Sequence, residues 1–456
     1  MSDRLAPPSA TGTGGRAHRV SAGVGARAFW LLGVGALWLI PAAVDPRAVA
    51  GLVAWDLFVV ALWILDLRRL PAPRQLRVTR EWTGPLGLGR PATVALTLEH
   101  DAPVVIEAQL ADAPSPALRR DVPEVALTAW PARPSRAEYT VTPTERGDAL
   151  MGPVTVRYAS AWKLATRWAR VPLDQTVRVY PDLHAAQHHV LHLVRSQSMV
   201  AERRRARQHG AGREFERLRD YREGDDRRDV CWTATARRGK LVTRLYRPER
   251  SQAVWIMLDG SRLLRARAGD RTKLDAAVDA ALALAHVAQA SGDRVGLVAY
   301  GRQIKERLAP SQGGAHLRRI VDGLAHIRAE DSEANHVQAA ARLSLDQRRR
   351  SLIIWLTDVP DVAITPDVVA SATQLTTRHL VLFVMIGHQD LQHVAGRVPA
   401  TVDEMYETTA AAEVVQRRDL LLHQLQVRGA MALEVSANLS LALVNAYLDV
   451  KQRNRL

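Results

Sequence analysis

The chain is 456 residues long, two to three times the usual size of one domain, so several folding units are expected rather than one large core. Hydrophobic residues make up 47%, which excludes disorder over most of the length, and 62 Lys and Arg against 47 Asp and Glu leave a formal charge of +15, suited to anionic lipid, phosphate or an acidic protein. The single cysteine, Cys231, excludes an internal disulfide framework and a cysteine-held structural zinc.

Residues 1–26, rich in Gly, Ala, Ser and Pro, read as a disordered tail. Two uncharged or nearly uncharged apolar runs follow, 17 residues from Ala28 to Val44 and 18 from Ala48 to Leu65, separated by Asp45-Pro46-Arg47. At 1.5 Å per residue each covers roughly 25 to 27 Å, just short of a ~30 Å hydrocarbon core. Residues 27–67 are therefore expected to form a transmembrane hairpin. Asp56 interrupts the second run at a cost of about 2.5 to 3.5 kcal/mol, nearly cancelled by its apolar neighbours, so it is expected to face the partner helix. Arginines flank both outer ends (Arg16, Arg19 and Arg27; Arg68, Arg69, Arg74 and Arg77) and only Arg47 lies in the turn. The positive-inside rule then gives a multi-pass protein of the cell inner (cytoplasmic) membrane with its C-terminal domains in the cytoplasm. A cleaved signal peptide is the rival reading, countered by the second apolar run that follows at once.

From residue 72 to 181 the period changes to two. Leu76 and Val78, Thr93 to Leu98, Ala137 to Thr142 and Val154 to Tyr158 alternate, with turn signals such as Thr83-Gly84-Pro85 and Gly152-Pro153 between them. This pattern predicts a β-sandwich of immunoglobulin-like size that carries no catalytic motif.

Residues 182–250 form a basic segment. His184, His188 and His192 recur at helical spacing without a carboxylate or cysteine to complete a zinc site, and read as a solvated helix face. Between Glu202 and Arg250 there are 16 Arg and Lys against 9 Asp and Glu, including Arg203-Arg204-Arg205, a contact suited to lipid head groups or nucleic acid. The remaining arginines have carboxylates close by in sequence with which to pair. Here a dense motif occurs: Gly212, Arg213, Glu214, Phe215, Leu218, Arg219, Tyr221, Gly224, Asp225, Asp226, Arg228, Trp232 and the run Ala234-Thr235-Ala236-Arg237. It resembles the signature of the domain of unknown function 58 family, with Cys231 where the family often has Asp or Asn. The resemblance implies a membrane-anchored protein with a von Willebrand factor A-like domain that works beside MoxR-type AAA+ ATPases in assembling or activating a client protein. Arg213, Glu214, Phe215, Arg219, Tyr221, Gly224, Asp225, Asp226, Arg228, Trp232 and Arg237 are then the candidate partner-binding residues.

Residues 251–456 alternate continuous apolar strands with amphipathic helices, the pattern of a doubly wound parallel α/β sheet. Strands are expected at Ala253 to Leu258, Arg294 to Tyr300, Ser351 to Leu356, His379 to Ile386 and Ala430 to Val435, and the clearest helices at Leu274 to Ala290 and His336 to Leu345. Ligand sites in such sheets lie at the carboxyl ends of strands, where Asp259 and Asp358 fall. A von Willebrand A domain holds Mg²⁺ through a D-x-S-x-S loop, a threonine and a later aspartate. Asp259, Ser261 and Asp358 match three of these, whereas Leu263 and Ala334 replace the second serine and the threonine, giving a degenerate metal site in which Mg²⁺ is a candidate cofactor; the alternative, slightly favoured, is that Asp259 and Asp358 are strand-end residues bonded to backbone N–H groups or arginines and kept for structure.

The chain lacks GxxxxGK[ST], HExxH, GxSxG and a strand-borne GxGxxG, so nucleotide, zinc-protease, hydrolase and dinucleotide functions lose their usual support. The expectation is a non-enzymatic membrane-anchored adaptor that grips a protein partner. The alternatives are a metal-dependent hydrolase using Asp259, Ser261 and Asp358, or binding of anionic lipid or nucleic acid through the arginine-rich segment. Nucleic acid is disfavoured because few aromatics interleave there.

Overall fold

A computed structural model describes residues 13–43, 45–182, 214–222, 227–247, 251–268, 271–359, 365–387 and 389–453. The helical histidines and the triple arginine lie outside the described residues, as do Arg213, Gly224, Asp225 and Asp226. The chain divides into two compact units, residues 1–182 and 183–456.

Among its described residues the first unit holds thirteen strands: β1 Thr13–Arg16, β2 His18–Val24, β3 Leu76–Trp82, β4 Leu86–Gly87, β5 Ala92–His100, β6 Ile106–Ala111, β7 Leu118–Arg120, β8 Val125–Ala129, β9 Ser135–Pro143, β10 Gly147–Met151, β11 Val154–Ser160, β12 Ala165–Val171 and β13 Gln175–Tyr180. They form two five-stranded sheets, β1-β3-β5-β9-β7 and β2-β12-β11-β6-β8, and a three-stranded sheet, β10-β13-β4. Inward residues from all three, among them Val78, Leu96, Val156, Tyr158, Ala149 and Val177, share one apolar core. The alternation read from the sequence is the two-residue period of strands with one buried face. Buried in this core, Arg80 donates from Nε to Asp112 Oδ2 at 2.9 Å, and the Tyr139 hydroxyl donates to the same oxygen at 2.6 Å. That network ties β3 and β9 of one sheet to the end of β6 in the other.

Residues 13–24 correct the expected tail of residues 1–26. β1 pairs antiparallel with β3, and β2 with β12, each adding an edge to a different sheet. Composition marked the segment as disordered because small residues dominate it, yet main-chain pairing needs no large side chain.

Between β2 and β3 the chain is helical. Ala26–Gly35 continues through a tight turn at Ala36–Trp38 into Leu39–Ala42, and Val49–Arg69 follows. The second stretch is one helix long and apolar enough to cross a membrane by length and composition; the first is apolar but shorter and changes winding at Ala36–Trp38, so it departs from the uninterrupted span expected from residue 28. The two pack closely. Trp55 Nε1 donates to Leu31 O at 2.8 Å, a Cβ at Gly35 would lie 2.5 Å from the Trp55 ring, and one at Gly51 would lie 2.7 Å from Trp38. The carboxylate of Asp56 lies beside Gly35, facing the first helix as expected.

Both ends of this helical segment are fastened to the turn between β11 and β12. At the start, Gly25 N donates to Leu164 O at 2.7 Å and Arg27 Nη1 donates to Ala161 O at 3.1 Å. At the end, buried Asp66 accepts from Ser160 Oγ at 2.5 Å and from the amides of Leu164 and Ala165 at 3.1 and 2.8 Å. Arg167 then donates to the carbonyls of Leu67, Leu70 and Pro71. Outside these ends most of the large apolar side chains face outward, including Phe29, Trp30, Leu37, Ile40, Leu57 and Phe58.

The second unit contains a ribbon, β14 Glu214–Asp220 with β15 Val242–Arg247, and a short helix, Trp232–Arg238. Its main element is a six-stranded sheet built from β16 Ala253–Asp259, β19 Arg294–Tyr300, β20 Ile304–Ser311, β21 Leu352–Thr357, β22 Leu380–Ile386 and β23 Met431–Val435. A small hairpin, β17 Arg267–Ala268 with β18 Arg271–Thr272, completes the set. The order is β20-β19-β16-β21-β22-β23, with every pair parallel except β19 with β20. This is a doubly wound sheet with one antiparallel edge strand, a departure from the all-parallel expectation. β16, β21 and β22 are buried nearly throughout, which explains their continuous apolar runs, whereas β20 is half exposed and mixed in composition. Helices Lys273–Ala290 and Leu439–Gln452 pack together on one side, and His336–Asp346, Thr365–Thr376 and Val402–Val427 form the other layer.

Candidate functional site at the strand ends

The strand order reverses between β16 and β21, and the crevice at their carboxyl ends is where this architecture places ligands. Asp259 ends β16 and Asp358 follows β21, so the two predicted carboxylates do meet at that point.

Asp259 is fully buried. Its Oδ1 accepts from Ser261 N at 2.8 Å, and its Oδ2 accepts from Ser261 Oγ at 3.1 Å and from Thr357 Oγ1 at 2.6 Å. Burial pushes its pKa up to about 6, opposed by these hydrogen bonds and aided by the neighbouring Asp358. The loop 330–335 lies alongside: Glu330 N donates to Gly260 O, and Arg262 N to Ser332 O. Ala334 therefore stands near the position expected of the threonine, but its methyl packs into the core. Next to it, Asn335 Oδ1 accepts from Gln338 N at 2.9 Å and caps the helix His336–Asp346.

Asp358 has different partners. Its Oδ2 accepts from Lys273 Nζ at 2.5 Å, and its Oδ1 lies 3.0 Å from Arg418 Nη2, close as a charge but not aligned as a hydrogen bond. Lys273 and Arg418 also donate to Ile386 O at 3.0 and 2.9 Å, at the end of β22. Arg418 Nε lies 3.0 Å from Glu434 Oε1 on β23. Two cations and two carboxylates thus balance within the sheet's carboxyl edge. Burial pulls the Lys273 pKa down, resisted by Asp358, and pushes that of Glu434 up.

Lys273 is the first residue of its helix, whose capping box pairs Thr272 with Asp275. A cation there opposes the helix dipole and is fully desolvated. Its partner Asp358 supplies the compensating charge. Lys273, Arg418 and Glu434 were not anticipated from sequence. The one available signal was a lysine opening an otherwise alanine- and leucine-rich helix.

This donor set does not fit a hard divalent cation. Asp358 already neutralises an ammonium and a guanidinium, Asp259 is occupied by hydroxyl and amide donors, and Leu263 and Ala334 offer no side-chain oxygen. Among the described residues no cluster of three or more His, Cys, Asp or Glu could hold a metal. For hydrolysis, Ser261 donates its hydroxyl to Asp259, and no described imidazole bonds to it.

The signature residues lie elsewhere, on the β14–β15 ribbon and its short helix. Glu214, Phe215 and Arg219 are on β14, Tyr221 just beyond it, Arg228 in a tight turn, and Trp232 and Arg237 on the helix. Part of the motif is structural. Cys231 and Val242 are buried, Cys231 N donates to Val242 O at 2.8 Å, and Gly239 ends the helix at φ +66°. Trp232, by contrast, is 68% exposed, and Arg228 and Arg237 are exposed as well.

A family model described as "Protein of unknown function DUF58" matches residues 217–418, which take in most of the ribbon and three members of the charge network, Lys273, Asp358 and Arg418. The Uncharacterized protein YeaD of Bacillus subtilis (strain 168) is 25% identical over 318 residues, 65% of this chain and 75% of that protein. Among solved structures, the conserved hypothetical protein BatB from Bacteroides thetaiotaomicron aligns at 14% identity over 45% of this chain and all of that one, with a TM-score of 0.30. The von Willebrand factor type A protein from Catenulispora acidiphila aligns at 16% identity over 45% of this chain and 43% of its own, with a TM-score of 0.28.

Proposed function

We propose that the protein is a non-enzymatic, membrane-tethered adaptor whose von Willebrand A-like domain holds a protein partner, a MoxR-type AAA+ ATPase or its client, without a bound divalent cation. The observation that carries this reading is the closed charge network at the strand ends: Lys273 and Arg418 engage Asp358, so this carboxylate is committed to two cations rather than open to a metal. On this reading the apolar helices between β2 and β3 form a membrane hairpin, with the strand-rich unit as a β-sandwich spacer on the cytoplasmic face of the inner membrane. Supporting it, both helix ends are fastened to the same β11–β12 turn, which requires them to emerge on one side.

The test is capture of a purified MoxR-type ATPase by the detergent-solubilised full chain, with and without EDTA. Equal retention in both is expected. Turnover of a small phosphate or ester substrate by the protein alone, or capture that vanishes on chelation, would overturn the reading.

A further inference from the structure

Where the apolar helices meet the strand-rich unit, an open groove of about 660 Å³ runs between them. Trp30, Leu31, Val34, Leu62 and Leu164 line it, and its polar rim is supplied by Arg27 and Trp162. Arg27 is held in place by donating from Nη1 to Ala161 O at 3.1 Å and Trp162 O at 3.4 Å. From the other helix, the guanidinium of Arg69 lies over the Trp162 ring, its Cζ 4.4 Å from the centroid. Among the described residues neither arginine forms an ion pair with a carboxylate. Lys163 beside them is paired with Glu107 at 2.6 Å, and the carboxylate of Asp66 is buried and bonded to Ser160, Leu164 and Ala165. Arg27 therefore stands on the rim of an apolar groove, and Arg69 is stacked on the Trp162 that shares that rim, neither with an acid partner among the described residues.

We infer that this groove is a binding site for one anionic phospholipid, its phosphate held between Arg27 and Arg69 and an acyl chain laid against Trp30 and Leu62. The chemistry selects that ligand. A free phosphate would satisfy the arginines and leave the groove wet, while a neutral lipid would fill the groove and bring no net charge to the guanidiniums. Planar guanidiniums also suit bidentate contact with phosphate oxygens, and a tryptophan at this level is at home where one face is apolar and the other wet. The inference rests on the membrane reading proposed above.

The full chain is purified in detergent, delipidated and titrated with phosphatidylglycerol or phosphatidylcholine, and bound lipid is counted by native mass spectrometry. One phosphatidylglycerol per chain is expected, bound about tenfold more tightly than phosphatidylcholine and not displaced by millimolar inorganic phosphate. The double variant Arg27→Gln/Arg69→Gln should bring the two lipids to near parity, and Arg27→Lys/Arg69→Lys should restore part of the preference. Arg47→Gln, in the turn at the far end of the helices, should leave it unchanged. Equal affinity for both lipids, or a preference that survives the glutamine pair, overturns the inference. Carbonate extraction of membranes separates the two failures: a chain released by carbonate defeats the membrane reading itself, whereas one retained without lipid preference defeats only the site.

Discussion

Asp358, Lys273, Arg418 and Glu434 are linked across the carboxyl edge of the sheet, and removing one charge strands the others in a buried setting. Breaking one partner of such a pair costs about 3 to 5 kcal/mol, while replacing both with apolar groups of similar size costs far less. Asp358→Asn is therefore expected to destabilise the C-terminal unit by about that amount in urea unfolding, and Lys273→Met/Asp358→Leu by clearly less than the sum of its single variants. His336 gives a second test. Trp355 Nε1 donates to the Tyr300 hydroxyl at 2.5 Å, and that hydroxyl lies 3.1 Å from His336 Nδ1, within hydrogen-bond distance. Burial pulls its pKa down to about 4. The unfolded chain then binds the extra proton between pH 6.5 and 4, so His336's contribution is whole above pH 6.5 and is lost as pH falls toward 4, by about 3 kcal/mol at most. In His336→Gln the fall in stability across that window should be shallower; an unchanged slope would mean the histidine is not buried neutral. None of these partnerships is legible in the sequence. Lys273 and Asp358 are 85 residues apart, and only the stacking of β16, β21 and β22 brings helix start and strand end together.

At the scale of elements, the strongly periodic pieces were readable, the edge strand β23 among them, and several other edge strands were not. β16, β19, β21, β22 and the helix Lys273–Ala290 fall within a residue or two of expectation because each is buried nearly throughout and carries a continuous apolar run. The antiparallel edge β20 and the edge strands β1 and β2 escaped notice. An edge strand buries little, so its composition carries little signal. The strands β1 and β2 have a practical consequence. Deleting residues 1–24 should expose the pairing edges of β3 and β12, lower the unfolding temperature by several degrees and promote aggregation, as read by thermal scanning and size-exclusion chromatography. A disordered tail would be removed without either effect.

For the whole molecule, the length already pointed to a chain of several units, of which two are found, and the motif from Gly212 to Arg237 pointed to the DUF58 family that the match over residues 217–418 supports. Divalent cation gives a global readout of the strand-end site. A ligand that binds only the native state raises its stability in proportion to occupancy, so Mg²⁺ at millimolar concentration should leave the unfolding temperature unchanged, as should EDTA. A rise of several degrees with Mg²⁺, abolished in Asp259→Ala, would show that a cation displaces Lys273 from Asp358. The sequence by itself determined the classes of element and which carboxylates reach the strand ends, because hydrophobic period and strand length are local properties of the chain. Only the tertiary structure decided what those carboxylates do. A buried charge takes its meaning from whichever opposite charge the packing delivers, and here an ammonium and a guanidinium from two separate helices were delivered to an aspartate for which the sequence left metal ligation and ion pairing both open.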